Sequence, residues 1–136
     1  MNGNHAKLLR VVLAFDAITC LLMGSVLLIA GSALGELFAI PPVVLRVAGA
    51  VLLVFAAGVG HLARRMVLSS AGVIAVIALN ALWATESLLA LWVGWLDPNA
   101  LGTAFVVAQA LAVAVIAEVQ YIGLRRARAG LAPAAP

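Results

Sequence analysis

Two carboxylates stand inside apolar runs of this chain, Asp16 in "VVLAFDAITC" and Glu118 in "VIAEVQY". An acid in such surroundings has few uses: it passes a proton or cation along a membrane path, it bonds polar groups on neighbouring helices, or it draws in water. Asp16 lies six residues beyond Arg10 and Glu118 seven residues before Arg125, so on helices each stands about 9 to 10 Å inside a basic boundary. The matching depths make them candidates for one site, where two adjacent carboxylates would share a single proton. The competing reading has each acid bonding a neighbouring helix separately.

Other polar side chains interrupt the apolar runs. At about 100° per residue, Asn80, Ser87 and Gly94 share one helical stripe with Trp83 beside it, and Gln109 and Gln120 share another, from which Glu118 points away. Amides so placed most often hydrogen-bond between helices. Arg46 and Glu86 form a candidate ion pair, against which stands snorkelling of Arg46 to water or its pairing with Glu36. The small residues Gly49, Ala50, Ala57 and Gly60, on the face of Arg46, suit close helix approach. The candidate intramembrane polar site therefore comprises Asp16, Glu118, Asn80, Gln109, Arg46 and Glu86.

Reaction chemistry has little support. Phosphate-loop, dinucleotide, zinc-protease and nucleophile-elbow motifs are missing from the sequence, as is a Ser/His/Asp set at credible spacing. His5 and His61 have no Cys or carboxylate at ligand spacing, and Cys20 is the single cysteine, so the reading is non-enzymatic, with no metal and no cofactor.

The elements that must position these residues are membrane spans. Of 136 residues, 66% are hydrophobic and 10% charged, and the mean hydropathy is +1.23, which marks an integral membrane protein. Continuous runs of about 20 residues predict helices, whereas barrel strands are half that length and alternate. Four helices are expected, over about 8–33, 43–62, 70–92 and 101–124, in an all-α four-helix bundle of up-down-up-down order forming a single membrane domain over 1–136. Pro41-Pro42 and "GWLDPNALG" punctuate it with turns, and a basic Ala/Pro-rich tail over 125–136 is expected to be disordered. The first run is read as a retained span rather than a cleaved signal peptide, because it is long and carries Asp16.

Seven of the eight basic residues (Lys7, Arg10, Arg64, Arg65, Arg125, Arg126 and Arg128) fall on one side of such a bundle, and the opposite loops hold only Glu36 and Asp97. That asymmetry predicts an inner-membrane protein with both termini cytoplasmic. Trp92, Trp95 and Tyr121 fall where interfacial aromatic belts sit. The pI of about 10.0 comes from these clusters and not from a nucleic-acid surface. A weak parallel repeat pairs "VVLAFDAI" with "AVIALNAL", aligning Asp16 with Asn80, and pairs 47–65 with 107–125, which implies two related helical hairpins. The function expected is that of a structural or accessory membrane component, bound to lipid and to a membrane-protein partner or to further copies of itself. The alternative is a small proton- or ion-coupled transporter that uses the intramembrane acids.

Overall fold

The structure is a computed structural model, and it describes residues 3–129. Five helices follow one another: α1 (Gly3–Ile29), α2 (Gly31–Phe38), α3 (Pro42–Arg64), α4 (Ser70–Trp92) and α5 (Ala100–Ala129). There is no strand among the described residues. Four helices are long and apolar enough to cross a membrane, over Ala6–Ile29, Pro42–Arg64, Ser70–Trp92 and Ala100–Ala129. Their outward faces carry large apolar side chains, among them Val11, Phe15, Leu22, Val47, Val54 and Leu111. A hydrocarbon solvent accepts that surface and water does not.

Local chemistry sets the helix starts. Pro42 stands in the first turn of α3, where its missing N–H removes no hydrogen bond. Ser69 caps α4 by accepting from Gly72 N at 3.2 Å, and Asn99 Oδ1 caps α5 by accepting from Gly102 N at 2.8 Å. The amide of Asn99 also donates to Leu37 O at 2.8 Å, tying the start of α5 to the end of α2.

α1 packs along α3 and α4 along α5, and the α1–α5 contact joins the two pairs. α3 and α4 barely touch, and the backbones of α1 and α4 do not meet. Two apolar cores result. One gathers Leu9, Leu13, Val59, Leu62, Val73 and Leu124, and the other gathers Leu27, Phe38, Ile40, Leu45, Leu52 and Val106. Phe38 of α2 stacks on Phe105 of α5 with ring centroids 4.7 Å apart.

Two expectations need correction. The first apolar run does not continue as one helix to residue 33, and Glu36 lies in a helix and not in a loop. The chain bends at Ala30 and forms α2, which buries Gly31, Gly35 and Phe38. It leaves that helix through Ala39 in the left-handed region, φ 56°, with the N–H groups of Ala39 and Ile40 both donating to Gly35 O, a closure of the Schellman type. The basic segment from residue 125 is helical as far as Ala129 rather than disordered. Leu124 and Ala127 are buried there, and Ala, Leu and Arg all favour helix. The rest of the expected tail, 130–136, lies outside the described residues.

Candidate functional site

The buried polar side chains of the described residues are Asp16, Asn80 and Gln120, each no more than 3% exposed, and they meet. Asp16 comes from α1, Asn80 from α4 and Gln120 from α5. Asn80 Nδ2 donates to Asp16 Oδ2 at 2.8 Å and to Gln120 Oε1 at 3.3 Å. Gln120 Nε2 donates to the same Asp16 Oδ2 at 2.7 Å. One turn further along α1, Cys20 Sγ donates to Asp16 Oδ1 at 3.6 Å. The result is a closed triangle of side chains with the carboxyl group accepting at both oxygens.

Helical spacing explains the triangle. On α1 the buried positions run Leu9, Leu13, Asp16, Cys20 and Leu27, steps of three, four and seven that hold one face. On α4, Val73, Val76, Asn80 and Ala84 repeat the pattern, and on α5 Ala110, Ala117, Gln120 and Leu124 do so. The polar residues occupy core positions midway along these faces, between the two apolar cores. Asp16 Oδ2, Gln120 Oε1 and the two amide nitrogens engage one another. Among the described residues every buried side-chain nitrogen and oxygen has a hydrogen-bond partner, so the cost of taking a carboxyl and two amides out of water is offset locally.

The remaining candidates go elsewhere. Glu118 does not meet Asp16: it is exposed, on a shallow outer groove of α4 and α5 beside Tyr121 and Ala114. The reason is angular, since two residues along α5 turn through about 200° and Gln120 takes the inward direction. Gln109 accepts from Trp83 Nε1 at 2.9 Å, a second α4–α5 bond about three helical turns before Gln120 on the same stripe. Arg46 donates through Nη2 to Ser32 Oγ at 2.6 Å, joining α3 to α2 rather than to Glu86. Glu86 is exposed beside Trp83 and lines two cavities between α3 and α4. His61 lies exposed near the end of α3, and no group of three or more metal-ligating side chains occurs among the described residues.

Two tertiary contacts escape a reading of spacing alone. Arg10 donates to Ala63 O at 2.9 Å and to Met66 O at 2.6 Å, so a cation of α1 closes the C-terminal end of α3. The second is the Asn99 cap described above. Neither partner is legible from sequence, because backbone carbonyls carry no residue signature. Gln120 as the third member had a signal, its shared stripe with Gln109.

Compared with protein families, curated proteins and solved structures, the chain matches none.

Proposed function

We propose that this chain is a non-enzymatic structural or accessory component of the inner membrane, threaded up-down-up-down with both termini cytoplasmic. The observation that carries the reading is the closed Asp16–Asn80–Gln120 triangle. Both oxygens of Asp16 and the amide nitrogens of Asn80 and Gln120 are engaged between helices or with Cys20, as suits a lock between helices; a catalytic carboxylate keeps an atom for its substrate. Threading is supported by the span lengths: 23 residues in α3 and in α4 give about 35 Å each at 1.5 Å per residue, enough for a hydrocarbon core of about 30 Å. Orientation is supported by the grouping of basic residues at one end. The packing of α1 with α3 and α4 with α5 also suits two repeated hairpins.

The alternative, a small proton- or ion-coupled transporter, is favoured by one observation. A cavity between α3 and α4 reaches Asn80 and Cys20, both bonded to Asp16. Two measurements on the protein purified from native membranes separate the readings. A stoichiometric membrane partner retained by the wild type and by Asp16→Asn supports the accessory role. Proton flux in reconstituted vesicles that is abolished by Asp16→Asn overturns it.

A further inference from the structure

The weakly packed side of the molecule, between α3 and α4, holds two adjoining cavities of about 210 and 680 Å³ that share Leu52, Trp83 and Glu86 in their linings. Their walls are otherwise almost wholly apolar, with Ala50, Val54 and Phe55 on one side and Leu79 and Leu82 on the other. Val54, Leu79 and Leu82 are exposed, so the cleft reaches the surface that faces lipid. One carboxylate stands in it. Glu86 lies six residues before Trp92, the last residue of α4, or about 9 Å inside the helix end, and neither lining contains a basic residue. Arg46 of α3, which lines neither cavity, donates to Ser32 instead.

Trp83 is the second feature. It precedes Glu86 by three residues, which places both on one side of α4, and its indole N–H is fixed by Gln109 Oε1 at 2.9 Å. That bond holds the ring in place against the cleft. An indole face and a carboxylate on one apolar wall are complementary to positive charge carried on an apolar body, the face through its quadrupole and the acid through its charge, both strengthened away from water. Bilayer phospholipids fit poorly. Their headgroups sit at the interface, above Glu86, and carry a phosphate that no cation in the cleft would meet.

We propose that the α3–α4 cleft is a binding site for a lipophilic cation, with its apolar body between Ala50, Phe55 and Leu82 and its charge between Trp83 and Glu86. Asn80 of the Asp16 triangle and Cys20 line another part of the same cleft, but the site assigned here is built on Trp83 and Glu86 and does not rest on the accessory reading. The test uses protein in uncharged maltoside micelles with Trp92→Phe and Trp95→Phe, so that Trp83 alone reports. Three amphiphiles of one chain length, each brominated on the chain to quench indole fluorescence, are titrated: a trimethylammonium, an alcohol and a sulfate. The ammonium is expected to quench at about tenfold lower concentration than the sulfate, a difference of about 1.4 kcal/mol, and Glu86→Gln is expected to bring the two together while leaving the alcohol unchanged. Ala50→Leu, which narrows the cleft without touching a polar group, is expected to weaken quenching by all three. Equal quenching by the three amphiphiles in the parent protein, a charge preference that survives Glu86→Gln, or quenching indifferent to Ala50→Leu would each overturn the assignment.

Discussion

Gly24 of α1 and Gly49 of α3 face each other backbone to backbone: a Cβ on Gly24 would lie 2.8 Å from Gly49 O, and a Cβ on Gly49 would lie 2.7 Å from Gly24 O. The clash is with main chain on both sides, so no side-chain rotation relieves it. Either Gly→Ala substitution must separate the helices, at an overpacking cost of about 1 to 3 kcal/mol set against the roughly 1 kcal/mol by which alanine favours helix. Gly24→Ala and Gly49→Ala are expected to lower the thermal midpoint in micelles, and the double variant is expected to lose less than the sum, because one separation serves both. By contrast Gly58→Ala, where a Cβ meets nothing within 4 Å, is expected to be neutral or stabilising. A neutral Gly49→Ala would remove the close crossing.

Asp16→Ala orphans two amide donors. Each is expected to cost about 1 to 3 kcal/mol if no water replaces the acceptor, measured by unfolding in mixed dodecyl sulfate micelles. Asp16→Asn keeps the shape and one acceptor oxygen, so its loss should be smaller. The coupling between Asp16→Ala and Gln120→Ala in a double-mutant cycle is expected in the range of about 0.6 to 1.7 kcal/mol seen between membrane helices. Additive losses would mean that the bond at 2.7 Å contributes no stability of its own.

Arg10→Gln removes the cation that closes the end of α3. A stability loss of about 1 kcal/mol is expected, together with faster trypsin cleavage after Arg64 and Arg65 in membranes that expose that end, since Ala63 O and Met66 O are the carbonyls it holds. An unchanged cleavage rate would leave the tether without consequence.

Threading is open to labelling. Cysteines at Asn4 and Arg128 are expected to be protected from an impermeant thiol reagent in intact cells and one at Asp97 to be modified, with native Cys20 silent because it is buried. Position 97 is preferable to 99, whose side chain caps α5. The reverse pattern would invert the orientation.

Spans were legible because hydrocarbon imposes a length and a composition on them, so the apolar runs and their proline and glycine boundaries carry the signal. α2 was not. Its eight residues, with Gly31 and Gly35 shortly before Pro41-Pro42, read as a helix end and a loop, and packing on α3 and α5 makes them a helix. Within the polar site, the stripes mark Asn80 and Gln120 as candidates for bonds between helices, and the competing reading in which Asp16 bonds its neighbours without Glu118 is the one the structure shows; matched depth makes Glu118 a candidate partner, but its angular offset from Gln120 turns it outward. Alignment of Asp16 with Asn80 as repeat equivalents did not foretell that the two bond to each other, since a repeat relates positions and says nothing of which side chains cross the space between helices.

The separations within the triangle bear on how the protein is made. Asp16 lies 64 residues before Asn80 and 104 before Gln120, and the helices that carry its partners are made after it. Until α4 and α5 are made, α1 thus carries an acid without its interhelical partners, and in a bilayer it would be held by hydrophobicity alone. Completion of α5 is the event that relieves it. Nascent chains stalled before residue 120 would lack that relief, so the triangle ties the burial of Asp16 to the order in which the helices are made.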